Sequence, residues 1–217
     1  MPALPLDSCA GLFGKLPARG DFVRENLPRD FTDAWDAWWL RGLADTQLRP
    51  RDEWCPAWLE APVWRFLLPP GLCGRNGVLG LWLPSVDKAG RYYPLTIAAA
   101  ASTDWAPYAG AMMDALTAWE QAGRDALEHD LAPIELLQRI RAAFEAGVSA
   151  APSMDFVPAQ ATWWTEGGPR VSPRVENGSA LPEGARFAAL IDDDWAAAAI
   201  SSAEPPTLPS GTRDVQP

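Results

Sequence analysis

Apolar residues recur along this chain with two periods, one of helices and one of strands. Between residues 29 and 48, Phe31, Trp35, Trp38, Trp39, Gly42 and Leu43 share one helical face. Pro28 precedes this segment, and Asp33 and Asp36 in its N-terminal half suit the helix dipole. A shorter helix is predicted over 53–60, carrying Trp54 and Trp58 and ended by Pro62. Strand-like runs lie at 12–16, 63–68, 78–83 and 92–101. Leu79, Leu81 and Leu83 share one face of their strand, as do Tyr93, Leu95, Ile97 and Ala99 of the next. Gly71, Gly74, Asn76 and Gly77 mark a hairpin loop, and Asp87-Lys-Ala-Gly90 marks a turn. Such short connections imply antiparallel neighbours.

The second half reads as helix, then strand. A long helix is predicted over 106–128, with Met112, Leu116 and Trp119 on one side and Thr103 or Asp104 as its cap. Another is predicted from Pro133 to residue 146, with the stripe Leu136, Leu137, Ile140 and Phe144 and a stop at Gly147. Strands are predicted at 162–165, 171–175 and 187–191, the first two joined by a turn at Gly167-Gly168, and a short alanine-rich helix follows the last. The expected organisation is a flexible lead over 1–9, one domain over 10–202 and a disordered, Pro/Ser-rich tail over 203–217. The fold class expected is a single α/β (α+β) domain with a largely antiparallel central sheet flanked by helices.

Charge narrows the function. The formal net charge is -10, which opposes binding to nucleic-acid phosphates or an anionic membrane surface. The sequence shows no bilayer-spanning apolar run and no signal-peptide pattern at its start. Cys9, Cys55 and Cys73 are odd in number and lack Cys-x-x-Cys spacing, which fits free thiols in the cytoplasm.

Catalytic and ligand motifs are weak. Gly14-Lys15 is followed by Leu16-Pro17, and Pro17 has no amide hydrogen for a phosphate loop. Arg19-Gly20-Asp21 spells an adhesion tripeptide by coincidence. Ser85, Asp87 and His129 lack the Gly-x-Ser-x-Gly elbow of a hydrolase, and His129, the single histidine, reads as a solvated or helix-capping residue. Asp192-Asp193-Asp194 reads as a solvated run, because adjacent acids point in different directions. The twelve tryptophans fall mostly at periodic positions and read as core. Trp82 is an interface anchor if the sheet has one bare face, and a buried residue if helices cover both.

What remains is a set of polar loop residues: Lys15, Arg19 and Asp21 in one loop, Ser85, Asp87 and Arg91 in another. Two readings stand side by side. In the first, the loops form a recognition surface. In the second, they are structural, with Asp87 capping its turn and Arg91 paired with Asp21.

The stretches Gly14-Lys-Leu-Pro-Ala-Arg-Gly-Asp-Phe22, Trp35-Asp-Ala-Trp-Trp39, Ala61-Pro-Val-Trp-Arg-Phe66, Gly71-Leu-Cys-Gly74, Leu83-Pro-Ser-Val-Asp87, Gly90-Arg-Tyr-Tyr-Pro-Leu95 and Trp163-Trp-Thr165 together resemble the TagF (ImpM) family of type VI secretion. The resemblance implies a cytoplasmic post-translational repressor of secretion-system assembly that engages the forkhead-associated scaffold protein, Fha. It also implies a mixed α/β fold with a largely antiparallel sheet, of longin or profilin type. Some relatives are fused to a PP2C-type phosphatase domain; this sequence ends before one, so phosphatase activity is not expected. Neither a cofactor nor a metal is expected, and the oligomeric state is left open. The competing expectation is a small-ligand sensor or enzyme built on the Asp87/Arg91 loops.

Overall fold

The computed structural model describes residues 9–102, 105, 112–150 and 160–196. Seven antiparallel strands make one sheet: β1 (Cys9–Gly14), β2 (Val23–Glu25), β3 (Trp64–Leu68), β4 (Gly77–Leu83), β5 (Leu95–Ala101), β6 (Ala161–Thr165) and β7 (Arg174–Gly178). Their order across the sheet is β2-β1-β5-β4-β3-β6-β7. Helices α1 (Arg29–Thr46), α2 (Arg51–Glu60) and α5 (Ala185–Ala188) cover one face, and α3 (Met113–Glu128) and α4 (Pro133–Ala150) cover the other.

Alternation along the strands divides the core in two. Val78 and Trp82 of β4 face α1, whereas Leu79, Leu81 and Leu83 face α3 and α4. Trp64, Phe66 and Leu68 of β3 join the α1 side, and Leu67 joins the other. Every residue of β3, β4 and β5 is buried, as expected for strands with helices on both faces. This three-layer arrangement decides the position of Trp82: it is fully buried, against Trp39 at 4.8 Å and Trp58 at 6.2 Å between ring centroids.

The α1 side is an aromatic core. Trp35, Trp38 and Trp39 project from one face of α1 onto Phe66, Trp82 and Trp163. The Trp35 indole N–H donates to Thr96 Oγ1 (2.9 Å), so its one polar atom is satisfied inside the core. Alanines in β5 leave room for these rings. Gly42 does the same on α1, since a Cβ there would meet the Phe187 ring at 2.3 Å.

Several sequence expectations shift. Cys9, assigned to the lead, opens β1 opposite Ala100, and β1 ends at Gly14 instead of running to residue 16. The strand expected at 171–175 begins at Arg174: the Val171 carbonyl accepts the Gly168 N–H (2.8 Å), closing the loop, and Pro173 has no N–H for a ladder. Val171 packs in the α1-side core. Residues 187–191 do not form a strand. Phe187 and Ala188 close α5, and Leu190 and Ile191 follow in turns, because a short apolar run suits either geometry. Gly147 does not stop α4, which continues to Ala150; an interior glycine costs a helix only about 1 kcal/mol. Residues 193–196 are helical, opening the expected alanine-rich helix; the rest of that helix, the expected caps Thr103 and Asp104, residues 106–111 of the long helix, most of the lead and the tail lie outside the described residues.

Candidate functional site

The strand register brings the two polar loops together. Gly14, the last residue of β1, is opposite both Val23 of β2 and Leu95 of β5, and Leu95 is opposite Leu83 of β4. The β1–β2 loop (15–22) and the β4–β5 loop (84–94) therefore leave the sheet at one end. Gly14 has φ +131°, and a Cβ there would meet the Pro94 carbonyl oxygen at 1.9 Å. Only glycine allows this approach between the two chains.

Asp87 is the centre of the junction. Its Oδ2 accepts from Lys15 Nζ (2.6 Å) and Arg91 Nε (2.7 Å). Its Oδ1 accepts the backbone N–H groups of Ala89 and Arg91, both at 2.9 Å, which caps the turn. Burial pushes this carboxyl up, but the hydrogen bonds from Lys15, from the Arg91 backbone and side chain and from Ala89 outweigh it and hold Asp87 well below the usual carboxylate range. Ser85 Oγ donates to the Lys15 carbonyl (2.8 Å), and the Trp58 indole N–H donates to the Ser85 carbonyl (3.1 Å). Lys15, Ser85 and Asp87 are all buried.

The outer residues differ. Arg19 and Asp21 are exposed, and the Arg91 side chain is 58% exposed. Arg91 donates to the Gly20 carbonyl and to Asp87, so the expected Arg91–Asp21 pair does not form. The guanidinium finds a nearer carboxylate in its own turn. Lys88 N–H donates to the Arg19 carbonyl (3.2 Å), a second tie between the loops. All six predicted residues thus lie at one end of the sheet, three inside the junction and three outside it.

Two neighbours were not singled out from sequence, Phe22 and Lys88. Phe22 is 46% exposed, yet its ring is fixed by Tyr93 (4.7 Å) and Phe13 (5.7 Å), with Lys15 Nζ 5.2 Å from its centroid. Phe22 closes the first of the stretches that carry the resemblance, and Lys88 lies in the turn between two others. Their signal was position inside a polar loop, not residue type. A groove of about 500 Å³ runs from Arg19 along Phe22 and β2 to Ile134 in the first turn of α4.

The other candidates resolve elsewhere. His129 caps the end of α3, its Nδ1 3.2 Å from the Asp125 carbonyl, and touches neither Ser85 nor Asp87. Of the acidic run expected to be solvated, Asp194 is exposed but Asp192 and Asp193 are not free in solvent. Asp192 is buried and bonded to Arg170 (3.2 Å), and Asp193 pairs with Arg174 (2.6 Å) and accepts the Ser172 N–H (2.8 Å). Among the described residues no cluster of acids, histidines or cysteines has a metal-binding arrangement, and no helix is long and apolar enough to cross a membrane.

The fold defines a three-layer, mixed α/β domain whose two polar loops are clasped by one buried ion pair. Residues 11–146 match the family described as the TagF N-terminal domain, type VI secretion system-associated, and the chain belongs to this family. Among solved structures it is similar to PA0076 from Pseudomonas aeruginosa PAO1, with 27% identity and a TM-score of 0.58 over 84% of this chain and 94% of that one. No curated protein matches it significantly.

Proposed function

We propose that this type VI secretion-associated protein is a post-translational repressor of secretion-system assembly, acting in the cytoplasm by protein contact with the Fha-type scaffold. The observation that carries this reading is the state of Asp87. Both its oxygens are occupied by four donors, and its side chain has no exposed surface. Such a carboxylate holds two loops in place; it has no free lone pair to offer a substrate. The sensor or enzyme reading needs Asp87 and Arg91 to face a shared cavity, and Asp87 is turned inward. The stiffened junction instead presents Arg19, Asp21, Phe22 and Arg91 as a surface, and surfaces with fixed side chains bind partners at lower entropic cost.

Capture of the tagged chain from its native cytoplasm, with quantitative identification of co-purified proteins, tests the reading. The scaffold should be enriched to near-equal amounts, and overproducing the chain should lower secretion. Purified protein should show no turnover of phosphatase, esterase or nucleotide substrates. Failure to enrich the scaffold would sink the partner assignment, and turnover abolished by Asp87→Ala would favour the enzyme reading.

A further inference from the structure

This chain carries two lysines, Lys15 and Lys88, and both lie at the loop junction. Lys15 is spent on Asp87. Lys88 and Arg19 are exposed, and among the described residues neither side chain makes an ion pair, although the chain has a net charge of -10. The main chain nevertheless holds them side by side, through the Lys88 N–H to Arg19 carbonyl bond. Arg91 adds a third cation, anchored on Gly20 and Asp87 with its side chain still more than half exposed. Like charges fixed next to one another repel, and an anion placed between them relieves the repulsion.

Beside these cations sits Phe22, a ring locked by Phe13 and Tyr93 but open on one side. The groove continues to Ile134, which is 63% exposed and lies off the buried stripe of α4. Asp21 and Glu25 line the same groove, and Arg24 between them is already paired with Asp33, so acids further along it would be repelled. The charge order thus sets the order of residues in the occupant.

We propose that this groove, together with the cationic rim beside it, docks an extended acidic segment of a partner protein, with carboxylates against Arg19 in the groove and Lys88 and Arg91 on the rim and a large apolar residue between Phe22 and Ile134. Charge sets orientation, and the rigid aromatic supplies the anchor. A second copy of the chain is a poorer occupant, since two molecules of charge -10 repel. The inference rests on the reading of the protein as a contact-dependent regulator and names the chemistry of the partner's segment.

The test uses the full chain and two fluorescent peptides of equal length, one with three glutamates followed by leucine and phenylalanine, the other with lysines replacing the glutamates. Anisotropy should show binding of the acidic peptide, weakened at least tenfold by raising salt from 50 to 500 mM and at least tenfold by Arg19→Glu combined with Lys88→Glu. Phe22→Ala should weaken it further while Arg19→Glu/Lys88→Glu retains the wild-type thermal midpoint. Equal binding of both peptides, no binding of the acidic one, or an unaffected charge-reversal variant would overturn the proposal. Scaffold capture run in parallel separates the two claims. A charge-reversal variant that still captures the scaffold defeats the acidic-segment inference alone. A wild-type chain that binds the acidic peptide but not the scaffold upholds that inference and defeats the partner assignment.

Discussion

Asp87 shows how one residue divides a cluster into a structural half and an exposed half. Asp87→Ala strands the buried Lys15 ammonium, and Lys15→Met leaves the buried carboxylate with Arg91 at its rim as its remaining cation; breaking such a buried pair costs about 3–5 kcal/mol. Arg91 is half in water, so its charge is screened and Arg91→Ala should cost about 1 kcal/mol. Urea denaturation of Lys15→Met, Asp87→Ala and Arg91→Ala should therefore separate the first two from the third. Equal losses for all three would mean that the junction is held at its rim. The same carboxylate gives a pH signature. Its folded pKa lies below its unfolded value of about 3.9, so its contribution is complete above that value and is lost as pH falls toward the folded one. Asp87→Asn should flatten the acid limb of the stability curve below about pH 5 relative to the wild type. An unchanged limb would show that Asp87 is not paired in solution. The membership of this cluster was legible in the sequence as charged residues in two glycine-containing loops. The pairing was not. Local spacing revealed that Asp87 caps its turn, but choosing between Asp21 and Asp87 for Arg91 needed the register that sets the two loops side by side.

At the scale of elements, periodicity was informative where it was long. The helices over Arg29–Thr46 and Arg51–Glu60 and the strands over Trp64–Leu68 and Gly77–Leu83 fall within one or two residues of their expected starts. The short apolar runs near 171–175 and 187–191 misled, because they owe their burial to tertiary contacts with the aromatic core, not to a local period. Trp35 and Trp39 carry that core. They lie four residues apart on α1, are fully buried, and touch Phe66, Trp82 and Trp163 between them. Replacing either by alanine should cost about 3–5 kcal/mol, measured as a lower denaturation midpoint. Gly42→Ala approaches the same core from the opposite side. Its Cβ would strike the Phe187 ring, an overpacking cost of about 1–3 kcal/mol. A Gly42→Ala variant as stable as the wild type would show that α5 slides freely on α1.

At the scale of the whole molecule, the sheet is shared property. Among the described residues the α1-side core and the α3/α4-side core form two clusters on opposite faces of strands whose alternate residues belong to each. A sheet stripped of helices on one face would expose a continuous apolar surface, so neither layer is expected to survive without the other. The uneven distribution of tryptophan makes this measurable. Nine of the twelve tryptophans belong to the α1-side cluster, whereas Trp105 and Trp119 are buried in the other. Fluorescence therefore reports mainly on one layer, while far-ultraviolet circular dichroism reports on both. The two signals should trace one coincident transition in urea, the mark of a two-state domain. Leu116→Ala, a cavity in the α3 side costing about 2–5 kcal/mol, should shift the fluorescence transition as far as the dichroism transition, although Leu116 lies on the tryptophan-poor face. A variant that moves the dichroism curve and leaves the fluorescence curve in place would show that the α1 layer folds on its own. The loop junction, fed by strands of both cores, would then have to be assigned to the layer that keeps it, and Asp87→Ala would shift only that layer's signal.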